Sequence, residues 1–362
     1  MTTTPTHAHP RPAGALTGVL GRTGPLGALG ALVLLMAALS ACLGALHISP
    51  GQLAAIVGDG LGVSLPWDYL PHQSTVFWSI RLPRICLGML VGASLAVSGA
   101  ALQGMFRNPL ADPGLIGVSG GGAMGAALVI VLLPAGWLAS AGALALPLAA
   151  FVGGLMAVII VYRLATQEGQ TSVSSMLLAG IAVNALVGSV IGLLTFVSDD
   201  AALRSLTMWS LGSLGGATWR VVLLVTPCVL VAIWWTTRQA DALNALLLGE
   251  SQARHLGVDV VRLRRHLVAM VALAVGAGVG FTGLIGFVGL VVPHMLRLGL
   301  SPDHKLVVPG SALLGAALLL GADLVCRVAV APAEMPIGVV TSLLGAPFFL
   351  WLMLRGSGRR EA

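Results

Sequence analysis

The side chains of this sequence that could do chemistry are few, and their spacing suits ion pairing better than catalysis. Arg81 and Arg84 flank a Leu-Pro pair, and Arg327 follows a long apolar run. Guanidinium groups so placed either lie against lipid headgroups or pair with carboxylates of a partner, where they set register and steering more than raw affinity. Lys305 is the only lysine and leucine follows it, so the Gly-x-x-x-x-Gly-Lys-Ser/Thr loop that cradles ATP phosphates is missing. The absence of His-Glu-x-x-His and of Cys-x-x-Cys-His removes a zincin centre and covalent haem attachment. Cys42, Cys86, Cys228 and Cys326 stand far apart in or beside apolar runs, as buried inert thiols do. The expectation is a protein with no catalytic residues and no metal site, hence not an enzyme.

Whatever positions these residues must be built for lipid. The 362 residues are 57% hydrophobic and only 9% charged, with a mean hydropathy of +0.97, whereas a soluble domain is ~25% charged. Apolar windows of spanning length recur along nearly the whole chain, and lipid permits only helices or closed barrels to span it. The runs are long and unbroken, unlike the short alternating strands of an outer-membrane barrel. The fold class is therefore all-α and polytopic. Ten spans are predicted, at about 26–46, 84–105, 114–133, 142–163, 173–197, 219–237, 265–282, 284–298, 306–324 and 336–354. Residues 1–25, rich in Pro, Thr and Gly, read as a disordered tail, 26–355 as the transmembrane domain, and 356–362 as a second tail. Leu39-Ser40-Ala41-Cys42 imitates a lipoprotein cleavage box but reads as part of an uncleaved first helix. The net charge of +6 is scattered in small clusters, not gathered into a nucleic-acid surface. Most arginines fall in loops that are cytoplasmic if both termini are inside, which orients the chain in an inner membrane.

Three further features concern organisation. Gly88, Gly92 and Gly99 place small residues along the second span, which allows close helix packing or a moving seam. Arg81-Leu82-Pro83-Arg84 and Arg262-Leu263-Arg264-Arg265 open two spans of opposite orientation, and Gly114-Leu115-Ile116-Gly117 and Gly283-Leu284-Ile285-Gly286 follow in each half, as an inverted repeat would arrange them. The eighth span is short and opens on that second Gly-rich string, so it is expected to be a broken element sheltered by protein. Between spans six and seven, Asp241 to Asp259 form an amphipathic stretch with Leu243, Leu246, Leu247 and Ala253 set against Glu250, Arg254 and His255. It is too polar to span, so it either lies on the membrane or docks into a partner.

The strings Arg81-Leu82-Pro83-Arg84, Gly99 to Gly114 with Gln103, Arg107-Asn108-Pro109 and Asp112-Pro113, Gly286-Phe287-Val288-Gly289 to Pro293-His294, and Glu334-Met335-Pro336 to Pro347-Phe348 resemble those of the bacterial iron-siderophore, haem and vitamin B12 ABC importer permeases, over almost the whole chain. The resemblance implies ten helices like those of the vitamin B12 permease, a homodimer with its pathway on the twofold axis, two cytoplasmic P-loop ATPase subunits and a periplasmic substrate-binding protein. It makes Glu250, Ala253, Leu256 and Gly257 candidate ATPase contacts within a coupling segment at 241–259. It makes Arg81, Arg84 and Arg327 candidate docking groups for the binding protein. Thr171, Ser172 and Ser174 sit where that family has its cytoplasmic gate, and the fifth and tenth helices would line the pathway.

The stretch Ser198 to Gly216 is most similar to the haem-carrying members. Haem is a large apolar disc with two propionates, so Arg204 could supply a cation, with Met176, Met208 and Trp209 offering soft or flat contacts; packing is the rival role for those side chains. His294, beside Pro293, reads as structural. The function expected is import of haem as a transported substrate, with no permanently bound cofactor and ATP held on the partner subunits. Ferric siderophore or cobalamin is the alternative cargo, and an ion-coupled secondary transporter, which would need intramembrane carboxylates, is the more distant rival.

Overall fold

The computed structural model describes residues 14–133, 142, 144–168, 170–331 and 333–357. The first span, α1 (Gly14–Cys42), begins ahead of its expected start at Leu26. Residues 1–13 of the expected N-terminal tail and 358–362 of the C-terminal one lie outside the described residues. A short α2 (Pro50–Gly60), capped reciprocally by Ser49 and Gln52, and α3 (Pro71–Val76) lead through one π-helical turn, Phe77–Arg81, into α4 (Leu82–Phe106). Asp112 accepts a hydrogen bond from the Gly114 amide at 2.8 Å to cap the 3-10 turn Pro113–Ile116, and Gly117 at φ +86° turns the chain into α5 (Val118–Leu132). A minimal hairpin, pairing Thr166 with Thr171, joins α6 (Ala145–Ala165) to α7 (Val173–Val197). Then come α8 (Asp200–Leu211), α9 (Trp219–Arg238), the short α10 (Ala240–Leu247) and α11 (Glu250–His255), and α12 (Val260–Thr282). The chain closes with α13 (Val288–Gly299), α14 (His304–Val328) and α15 (Ile337–Ser357).

Among the described residues, seven helices are long and apolar enough to cross a membrane, and three shorter apolar ones, at Val118–Leu132, Val288–Gly299 and Ile337–Trp351, fall where the remaining expected spans lie. The eighth span is broken as its glycines require. Gly283 sits at φ +71° and Phe287 at φ +67°, and the residues between them stay non-helical until α13 begins.

The core forms around α4: an 18-residue apolar window within Pro71–Phe106 is 83% buried, against 67% for the corresponding windows of α12 and α14 and 22% for that of α7. Lipid supplies no hydrophobic force to press helices together, so they associate by close approach of backbones. A Cβ on Gly92 of α4 would lie 2.3 Å from the Gly315 carbonyl of α14, and one on Gly315 would lie 2.4 Å from that of Gly92. The α5–α6 pair repeats the arrangement with Gly121 and Gly153, at 2.4 and 2.3 Å. The tightest approach is at Gly99, whose added Cβ would sit 1.8 Å from the Gly289 carbonyl of α13. These seams hold α4 and α14 antiparallel, so the start of one meets the end of the other and two polar clusters form at opposite ends.

Candidate functional site

At the first end, three arginines converge on the close of α14. Arg84 donates through Nε to Asp323 Oδ1 at 2.9 Å and pairs through Nη1 with Glu334 Oε1 at 2.8 Å. Arg327 donates through Nε to the other Asp323 oxygen at 3.0 Å. Helix α1 ends here, and its last carbonyls lack intrahelical partners. Arg81 donates to the Ala41 and Leu46 carbonyls, and Arg327 to those of Ser40 and Leu43, both at 3.2 Å. Two guanidiniums thus cap the negative end of a helix dipole. Arg81, Arg84 and Arg327, the candidate docking groups, are brought together here but turned inward: Arg81 is 5% and Arg84 8% exposed, because each bonds a buried carboxylate or an orphan carbonyl. Glu334, with 48% of its side chain exposed, is the rim of the cluster. Asp323 was overlooked in sequence. A lone acid in an apolar span is a functional signal by default, but paired to two arginines it is no proton relay.

At the second end lies the 241–259 segment. It is two helices, not one, broken at Gly249 with φ +115°. Leu243, Leu246 and Ala253 are buried in the main core, while Leu247, Leu248 and Leu256 are exposed. Ala253, an expected ATPase contact, is fully buried, and its small side chain lets α11 seat on the body. Leu256 and Gly257 do face outward. Asn244 of α10 donates to Asp303 Oδ1 at 2.7 Å and accepts from the His304 amide at 2.9 Å, fastening α10 to the start of α14. Glu250 opens α11 and forms an ion pair with Arg264 of α12. Arg264 donates through Nη1 to the Thr171 carbonyl at 2.6 Å.

The expected gate residues divide by burial. Thr171 is buried, its hydroxyl shared with Thr166 at 3.0 Å and Tyr162 at 3.3 Å. Ser172 caps α7 by accepting from the Ser175 amide at 3.3 Å, and Ser172 and Ser174 are exposed. Of the expected pathway contacts, Met208 and Trp209 line a cavity of about 910 Å³ between the ends of α5 and α7 and the length of α8, whose walls include Ile130, Leu146 and Val197. Arg204, exposed on α8, is not among the described residues lining it. Met176, at 1% exposure, packs in the core. The string Gly117-Val118-Ser119-Gly120-Gly121 spells Gly-x-Ser-x-Gly, but a 3-10 turn precedes it and Ser119 lies inside α5. No strand-turn-helix elbow presents the hydroxyl to a substrate.

Known proteins share this architecture. The sequence profile of the FecCD transport family matches residues 32–355. The hemin transport system permease protein HmuU of Yersinia pestis is 46% identical over 286 residues, covering 79% of this chain and 85% of that protein. The vitamin B12 import system permease protein BtuC of Vibrio cholerae is 41% identical over 311 residues, covering 86% of this chain and 92% of its own. A solved structure of a metal-chelate type ABC transporter in an inward-facing conformation superposes with a TM-score of 0.79 at 30% identity, covering 91% of this chain and 98% of that one.

Proposed function

Because this chain belongs to the FecCD transport family, whose profile spans residues 32–355, we propose that it is the membrane permease of an ATP-driven importer and that its cargo is haem. The observation that carries the importer reading is the Glu250–Arg264–Thr171 connection, which ties a polar segment too short to span to the loop that opens α7. Such a segment is where an ATPase subunit would push. The chain works as a multi-pass inner-membrane protein with both termini cytoplasmic, as a homodimer with two P-loop ATPase subunits, and receives cargo from a periplasmic binding protein. It supplies no reaction of its own, only two packings whose relative stability the partners bias.

Docking of the binding protein is assigned to the Arg84 end. Among the described residues, three arginines there, Arg81, Arg84 and Arg327, face two carboxylates, Asp323 and Glu334, Arg81 bonding carbonyls instead, so the cluster keeps an excess positive charge, and a partner carboxylate would exchange with half-exposed Glu334. Haem is favoured by the likeness to the hemin permease and by the apolar cavity that Met208 and Trp209 share, which suits a flat macrocycle.

The test is uptake into proteoliposomes holding this chain, its ATPase and its binding protein, offered haem with and without ATP. ATP-dependent haem accumulation that excess cobalamin or ferric siderophore leaves unchanged is the expected result. Accumulation of a rival instead discards haem and keeps the importer, while transport without the ATPase discards the importer.

A further inference from the structure

We propose that Arg264 is a positioning residue that transmits movement of α11 to the α6–α7 hairpin, and so couples ATP use to the gate; this rests on the importer reading above. Arg264 sits in the first turns of α12 with its side chain 5% exposed. Its fork reaches two separate elements, the Glu250 carboxylate on α11 and the Thr171 carbonyl in the second strand of the hairpin. Its Nε finds no partner among the described residues, and a buried donor left so is costly. A side chain chosen only to hold the fold would not carry that penalty.

Both attachments are suited to carrying a displacement. Segment α11 lies between Gly249 at φ +115° and Gly257 at φ +84°, backbone states that favour glycine and bound the six-residue helix as a separate unit. Thr171 is anchored to the hairpin through Thr166 and Tyr162, and Ser172, the next residue, starts α7. A shift of Glu250 is therefore passed by one buried cation to the entry of α7, without a flexible loop between. The opposite end repeats the device. Arg84, in the first turn of α4, forks between Asp323 at the close of α14 and Glu334 in the link to α15. Each connection into the helices expected to line the pathway, α7 and α15, is thus held by one buried arginine.

The experiment is a double-mutant cycle in proteoliposomes of the full complex, comparing Glu250→Ala, Arg264→Lys and the pair, with ATP hydrolysis and cargo uptake read in the same vesicles. Lysine keeps the charge but presents one point donor and cannot fork. Uptake per ATP is expected to fall about tenfold in each single variant, and no further in the pair, while hydrolysis in Arg264→Lys stays within about twofold of wild type. Glu250→Gln, which keeps an acceptor oxygen and sits 34% exposed, should recover part of the loss. In a background with Cys42, Cys86, Cys228 and Cys326 replaced by serine, Ser174→Cys should change its labelling by an impermeant thiol reagent when ATP is added, and Glu250→Ala should abolish that change. Unchanged uptake per ATP, additive losses, or hydrolysis and uptake declining together with the melting temperature would each overturn the proposal. If wild-type vesicles import nothing with ATP, the importer reading falls first and takes this one with it.

Discussion

Glu334 shows how one carboxylate sets the charge that the Arg84 end presents. The Arg84 guanidinium, bonded at 2.8 Å, holds the Glu334 carboxyl below the usual carboxylate range, against an opposing push from burial. With its folded pKa depressed, the pair stabilises the protein fully above the unfolded value of ~4.3 and loses that contribution as pH falls through the lower folded value. Half of the side chain is in solvent, so screening limits the contribution to ~0–1 kcal/mol. Glu334→Gln should therefore lower the melting temperature in detergent only slightly at neutral pH, and the difference should vanish in acid. A difference that ignores pH would mean that the pair does not form. The same substitution adds one net positive charge at the rim, so capture of an acidic binding protein should become faster and more salt-sensitive, which stopped-flow binding at two ionic strengths would read.

Helices meet here through glycine, and the expected consequences differ sharply along the chain. Gly99→Ala forces a Cβ to 1.8 Å from a carbonyl of α13, so α4 and α13 must separate; a loss of ~1–3 kcal/mol or more is expected, visible as a lower melting temperature and poor yield. Gly188 of α7 has nothing within 4 Å of an added Cβ, and alanine there should be silent in the isolated chain. Most of this element plan was legible in sequence, because apolar runs of spanning length and paired small residues announce themselves locally. What was not legible was partnership across the fold. Arg81 and Arg84 look like surface arginines in a string of four, yet their partners lie at Ala41 and Asp323, separations that no local pattern encodes. The burial of Met176 was hidden for a related reason, since a helix in lipid is apolar all round and does not show which face is core.

For the whole molecule, the sparse burial of α7, 22% of its apolar window against 83% for that of the α4 span, leaves Leu178, Ile181, Leu186 and Leu193 uncovered, an apolar face that the proposed homodimer is expected to cover. Gly188→Trp should leave the protomer's melting temperature unchanged and convert a dimer to a monomer by light scattering in detergent. A dimer that survives places the interface elsewhere. The glycine seams carry one more consequence, for the order in which the molecule comes together. In lipid each helix is formed before it finds its neighbours, so the large backbone entropy that glycine forfeits is lost at insertion. When Gly92 then meets Gly315, and Gly121 meets Gly153, no rotamers are frozen, because glycine has none to lose. Assembly of these helices is therefore driven by contact enthalpy with little opposing entropy, and it lacks the water-release term that makes soluble cores weaken on cooling. The bundle should hold its packing down to the temperature at which the lipid itself solidifies.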